Sequence, residues 1–187
     1  DIEWTAGGVD GAFRFLQRIW RLVNEAAEKG AGGPPPAQVS AEALELRRAT
    51  HRSVAAVTMA IDKLRFNVAI ANIYEFSNAL SAALNSAGDK PAPDMRFSLR
   101  EAAEMLTRIA APMVPHLVEE CWQALGNQGL LAEQAWPTPD PGLLTEDTVT
   151  IAVQVNGKRR DELTIARDAA KEDIEAAALK LDNVVRA

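Results

Sequence analysis

Val149–Leu179 reads VTIAVQVNGKRRDELTIARDAAKEDIEAAAL. Val149, Ile151 and Val153 alternate with smaller or polar residues, and after Asn156–Gly157 the sequence returns to an alternating pattern through Leu163 and Ile165. A period of two marks half-buried strands. Asn-Gly between two such runs is a strong hairpin signal. Further on the period lengthens, with Ile174, Ala178 and Leu181 at helical spacing. The segment is thus strand, turn, strand and helix, with Lys158, Arg159 and Arg160 in or just past the turn. The chain before it is otherwise helical in its periodic stretches. The predicted fold class is mainly α: a helical bundle over residues 1–148, then a small α+β domain of β-hairpin plus helix over residues 149–187.

The hairpin register follows from its faces. A plain two-residue turn pairs Val155 with Lys158, Val153 with Arg160 and Ile151 with Glu162. Leu163 and Ile165 then fall on the wrong face, because a one-residue slip exchanges the two sides of a sheet. One additional residue places Ile151 opposite Leu163 and Val149 opposite Ile165. The expectation is therefore a three-residue loop, Asn156-Gly157-Lys158, or a bulge beside it. Arg160 would then sit opposite Gln154 on the polar face. The apolar face would pack on Ile174, Ala178 and Leu181.

Working toward the N-terminus, Leu130–Asp147 is a connection with Pro137, Pro139 and Pro141, which Trp136 is expected to pin to the bundle. In APMVPHLVEECWQALG (Ala111–Gly126), Pro112 and Pro115 end one helix and begin the next, since proline lacks an amide donor and clashes with the preceding turn. Leu117, Cys121 or Trp122, and Leu125 make the inner face. SLRE (Ser98–Glu101) has the form of a capping box. In KLRFNVAIANIYEFSNALSAAL (Lys63–Leu84), Asn67 is a candidate N-cap, and Phe66, Ile70, Ile73, Phe76, Leu80 and Leu84 are expected inside. A helix over Ala41–Lys63 is expected to bury Leu46, Val54, Val57, Ile61 and Leu64, with Ser40 or a neighbour as its cap. Gly30–Ser40 is a loop, with three Gly and three Pro. The first helix, about Val9–Lys29, turns Ala12, Phe15, Leu16, Ile19, Val23 and Ala26 inward, flanked by Phe13 and Trp20.

Two basic groups lie on these helices. Arg14, Arg18 and Arg21 form a line opposite the apolar face of the first helix, without acids among them. Arg47, Arg48, His51 and Arg52 cluster on the second. A solvated face explains either group, and so does a phosphate-contacting stripe. The net charge of −6 argues against a general polyanion surface, but residues 149–187 are neutral and most of the excess lies in the middle of the chain. A local basic stripe can still bind phosphate.

Several chemistries find no footing. No glycine-rich phosphate loop, paired-cysteine metal site or serine elbow occurs in the sequence. His51 and His116 are far apart in sequence, and Glu119 and Glu120 point to different helix faces. No catalytic, cofactor-binding or metal-binding residue is assigned. The single Cys121 has no disulfide partner and suits a buried apolar site in a reducing cytoplasm. No apolar run reaches the roughly 18 residues of a membrane span. Asp1–Thr5 has no basic n-region, so no signal peptide and no membrane partner are expected. These residues alone point to a binding or interaction module.

Four segments together add a resemblance. GVDGAFRFLQRIWRLV (Gly8–Val23), LRFNVAIANIYEFSNAL (Leu64–Leu80), APMVPHLVEECWQALG and VQVNGKRRDEL (Val153–Leu163) resemble the C-terminal portion of bacterial leucyl-tRNA synthetases. The first three also resemble the helical anticodon-binding domain of the class I synthetases for leucine, isoleucine, valine and methionine. Pro112 to Trp122 is the most specific of these patterns, and Gln154 to Arg160 points to the leucine enzymes. The resemblance implies a non-catalytic, tRNA-binding part of a leucine–tRNA ligase. The family's two ATP-handling motifs are absent here, so ATP and Mg2+ would belong to a catalytic domain elsewhere, and this part would hold no cofactor. Implied partners are leucine tRNA and the catalytic and editing domains of the same polypeptide, in a cytoplasmic monomer. Implied tRNA contacts are the bundle on the tRNA body and the hairpin at the elbow, with Lys158 and Arg160 on the family motif. Candidate tRNA-binding residues are Arg14, Arg18, Arg21, Arg47, Arg48, Arg52, Lys158, Arg159 and Arg160. Relative to the family, Asp161 puts a carboxylate beside the basic tip, Ala170 leaves the last helix without a serine cap, and the final domain stops early. A valine- or isoleucine-type domain and a helical protein-interaction module are the alternatives. The hairpin motif disfavours both.

Overall fold

Ser40 begins the second helix by the means its side chain suggests. Its hydroxyl accepts the Ala43 amide at 3.3 Å, and its own amide donates to the Asp94 carboxylate at 2.8 Å. Hydrogen bonding from Ser40, that of its amide foremost and then that of its side chain, holds Asp94 below the usual carboxylate range. In this computed structural model, residues 6–145, 148–166 and 169–185 are described. The chain divides into two units, Asp1–Leu144 and Thr145–Ala187.

The first unit contains α1 (Ala6–Lys29), α2 (Ala41–Asp62), α3 (Phe66–Ala87), α4 (Pro93–Ala110) and α5 (Pro115–Ala124). A 3-10 turn (Leu131–Glu133) and a short α6 (Pro141–Leu144) follow. α4 packs on α1, α2, α3 and α5. It can do so because small residues lie among its large ones: Ser98, Ala102 and Ala103 are buried beside Leu99, Leu106 and Ile109. The buried hydroxyls of Thr50, Ser98 and Thr107 donate to carbonyls one turn earlier, which removes the cost of burying them. On α3, Phe76, Leu80 and Leu84 are fully buried, and each such side chain contributes about 1.5–3 kcal/mol. Gly30 ends α1 where nothing larger fits. A Cβ there would stand 2.6 Å from the Ala26 carbonyl oxygen and 3.1 Å from the Arg100 Cβ.

Several helix starts differ from the expectation. α4 begins at Pro93, and Ser98 lies inside it, so Ser98–Glu101 is no capping box. Proline at the first turn already supplies the start, because the missing amide would have had no partner there. α3 begins at Phe66 with Arg65 at the cap position and no side-chain cap, so Asn67 is not the N-cap. Leu64 turns the chain with a φ of 54°, and the Arg65 amide reaches back to the Ala60 carbonyl at 2.8 Å. This reversal, rather than a cap, separates the two helices. It also turns Leu64 out to 77% exposure, and Phe66 and Ile70 are exposed as well. The inward positions expected for Leu64, Phe66 and Ile70 are therefore corrected: Leu64 belongs to the turn, and Phe66 and Ile70 are exposed at the start of α3. The proline-bounded break between α4 and α5 lies where expected, with Pro115 in the first turn of α5.

In the second unit β1 (Thr148–Val155) and β2 (Lys158–Ala166) form an antiparallel hairpin. Ile151 pairs with Leu163 and Val149 with Ile165, as the faces demanded. The turn itself is two residues long. Asn156 and Gly157 have φ of 51° and 78°, both in the left-handed region that Asn-Gly supplies at low cost. The additional residue appears one step later as a bulge between the Val153 and Gln154 pairings. Arg159, not Arg160, therefore stands opposite Gln154, and Arg160 is the unpaired bulge residue. Helices α7 (Lys171–Ala178) and α8 (Asp182–Val185) lie against the hairpin. Ile151, Val153, Leu163 and Ile165 are half-buried, as are Ile174, Ala178 and Leu181. The Val149 side chain lies outside the described residues. α7 starts at Ala170 without a side-chain cap.

Candidate nucleic-acid interface

The basic residues fall into three groups with different surroundings. On α1, Arg14 and Arg21 are exposed, and neither forms a salt bridge among the described residues. With Gln17 and Arg18 they line a shallow groove. Arg18 is half-buried because its guanidinium donates to Asn78 Oδ1 at 2.6 Å and to the Ser77 carbonyl at 3.4 Å. It ties α1 to α3. Phe15 stacks on Tyr74 beside it, ring centroids 3.5 Å apart and planes 12° from parallel. With Lys29 Nζ donating to the Leu84 carbonyl, these contacts show that α1 and α3 run in the same direction. Spacing alone places Arg18 on a water-facing line with Arg14 and Arg21. Its polar partners on α3 are distant in sequence, so spacing could not reveal them.

The α2 cluster is not a free basic surface. Arg47 makes a two-pronged pair with Glu101 on α4, at 2.8 and 3.2 Å, and lies 5.3 Å over the Phe97 ring. His51 is buried. Its Nε2 lies 3.4 Å from the same carboxylate, and its Nδ1 accepts the Asp140 amide at 3.0 Å. With Nδ1 accepting the Asp140 amide, Nε2 is the ring nitrogen placed to donate to Glu101. Burial pushes the Glu101 carboxyl up, but the hydrogen bonds from His51 and Arg47 outweigh it and hold the group below its ordinary value. Arg47 and His51 are thus spent inside the fold. Arg52 pairs with Glu45 at 2.7 Å on the surface, and Arg48 is half-buried.

The same network fixes the connection after α5. Asp140 is held by His51, the Trp136 indole donates to Thr58 Oγ1 at 2.8 Å, and Arg108 donates to the Ala135 carbonyl. Trp136 therefore pins the segment as its position suggested. Glu119 accepts the Leu131 and Ala132 amides at 2.8 and 2.9 Å, an N-terminal cap for the 3-10 turn.

At the hairpin tip Lys158, Arg159 and Arg160 are all exposed. Arg159 pairs with Glu162 on the same strand. Asp161 is turned to other duties: one oxygen accepts the Glu162 amide at 2.9 Å, the other the Asn183 side-chain amide at 3.0 Å. Its charge is directed to the bulge and α8. Lys158 and Arg160 stand clear of salt bridges among the described residues.

No group of three or more His, Cys, Asp or Glu able to hold a metal lies among the described residues, and no described helix is long and apolar enough to cross a membrane. Cys121 is buried, and desolvation together with the Glu120 charge pushes its thiol up to about 11. It is held as a neutral packing group.

Arg14 and Arg21 on the bundle, and Lys158 and Arg160 at the hairpin tip, are thus exposed basic residues without salt bridges among the described residues. The chain belongs to the anticodon-binding domain family of tRNA ligases, whose model matches residues 44–176. It is 52% identical to the leucine–tRNA ligase of Azorhizobium caulinodans across its whole length, and 52% identical to that of Parvibaculum lavamentivorans. In both cases all of this chain is covered, but it spans only 22% and 21% of the relative. The structure also superposes on the Agrobacterium radiobacter LeuRS–tRNA–LeuAMS ternary complex with a TM-score of 0.79 and 28% identity, covering 99% of this chain and 24% of that one.

Proposed function

We propose that this chain is the tRNA-binding part of a leucine–tRNA ligase. It would hold leucine tRNA by its body and elbow while a catalytic domain elsewhere in the polypeptide attaches leucine at the expense of ATP. The observation that carries the reading is the 52% identity to leucine–tRNA ligases over the whole chain, hairpin included. Arg14, Arg21, Lys158 and Arg160, exposed and without salt bridges among the described residues, support it physically, because phosphate contacts need cations that are not already neutralised. Recognition by such residues is mainly of backbone and shape. ATP and Mg2+ are assigned to the catalytic domain, and no step of the chemistry is assigned to residues of this chain. The catalytic and editing domains are its covalent partners, in a cytoplasmic, monomeric enzyme.

The test is a titration of the full-length ligase with leucine tRNA and with a second tRNA, across salt. Lys158→Ala and Arg160→Ala should each reduce the log–log salt slope by roughly 0.7–0.9. Equal affinity for both tRNAs, with slopes unmoved by either substitution, would remove the basic tip from the tRNA site.

A further inference from the structure

The solvent side of α1 carries more than arginine. Phe13 is 59% exposed and Trp20 41% exposed, although both are large enough to reward burial. They are seven residues apart, and each is followed by an arginine: Phe13–Arg14 and Trp20–Arg21. At about 100° and about 1.5 Å per residue, the two rings share one line and stand about 10 Å apart along the axis. The arginines form a parallel line about 100° round the helix, with Gln17 between. From Gly11 to Asn24 there is no acidic residue, and Arg14 and Arg21 form no salt bridge among the described residues. Across the arginine line, Arg18 is anchored on Asn78.

We propose that Phe13 and Trp20 are stacking platforms for unpaired nucleotides of a folded RNA, with Arg14 and Arg21 taking the adjoining phosphates; this rests on the tRNA-binding reading above. A surface meant for another protein would bury its rings against apolar side chains. It would have no reason to flank them twice, in step, with uncompensated cations. A ring with a guanidinium one residue on, about 100° round the helix, can serve the base and the phosphate of a nucleotide from neighbouring lines of one helix. Paired RNA hides its base faces, so the partner is a loop or bulge with splayed bases.

The experiment uses the full-length ligase and leucine tRNA. Stacking contributes about 1–3 kcal/mol per base, so Trp20→Ala should weaken tRNA binding by about fivefold to a hundredfold. The salt slope should stay at the parent value, because no phosphate contact is lost. Trp20→Phe should remain within about threefold of the parent, since a flat ring is retained. Arg21→Ala should instead lower the slope by about 0.7–0.9. Leucine-dependent pyrophosphate exchange, which needs no tRNA, should be unchanged in all three. The proposal fails if Trp20→Ala binds tRNA like the parent. It fails equally if the loss comes with a lower melting temperature or lost exchange, the signature of a ring packed on another domain. If the arginine slope shifts while Trp20→Ala is silent, only the stacking is overturned and the tRNA reading stands.

Discussion

Glu101→Gln removes one charge and little volume from the point where α2, α4 and the connection after α5 meet. The carboxylate takes two bonds from Arg47 and faces His51, and the Glu101 and Arg47 side chains are each only 13% exposed. An exposed ion pair contributes about 0.2–1 kcal/mol, whereas removing one partner of a buried pair costs about 3–5 kcal/mol. The site lies between these limits, and glutamine keeps one acceptor, so the expected cost is about 2 kcal/mol. Urea unfolding should show a lower midpoint at constant slope. A double-mutant cycle of Arg47→Ala and Glu101→Ala should give a coupling above about 1 kcal/mol. Acid should act through the same group. Because the folded carboxyl titrates below its ordinary value, its contribution is complete above the unfolded pKa and is lost as pH falls through the folded one. The glutamine variant should therefore have a flatter acid limb than the parent. A cost below about 0.5 kcal/mol, or an unchanged acid limb, would refute the claim that this network supports the fold.

Arg18→Ala should cost about 1 kcal/mol through the lost Asn78 bond, while Arg14→Ala and Arg21→Ala should each stay within about 0.5 kcal/mol, as thermal melts can show. Gly30→Ala should destabilise by about 1–3 kcal/mol, because its methyl meets a backbone oxygen that belongs to α1. Cys121 should resist alkylation at neutral pH and react at the rate of unfolding, so a burst of labelling in native buffer would contradict its burial and raised thiol.

What the sequence disclosed was periodicity and local turn chemistry. The core of α3 from Ile73 to Leu84, the proline break at Pro115 and the hairpin register all follow from spacing, and the structure agrees. The errors arise where long-range geometry overrides a local pattern. Ser98 and Glu101 match a capping box, yet Glu101 answers to Arg47 and His51 about fifty residues away. Phe66 and Ile70 continue the inward stripe of α3, but a stripe is buried only as far as a neighbour extends. The basic residues of α2 could not be sorted by spacing, because the carboxylate that neutralises Arg47 lies on another helix. At the hairpin the faces dictated one additional residue, while the pairing of Val155 with Lys158 decided between a longer loop and a bulge.

The bulge gives this hairpin an asymmetric tolerance to changes in length. Loss of the single codon for Arg160 would leave Val155 opposite Lys158 and Gln154 opposite Arg159, and would bring Asp161 directly into line with Val153. The result is a plain two-residue hairpin with every apolar residue still on its own face. Loss of one codon from the middle of β1 has no such outlet, since it would shift half the strand to the wrong side of the sheet. The register therefore makes Arg160 a residue the hairpin can lose, and the basic tip can shed that side chain while the sheet beneath it stays in register.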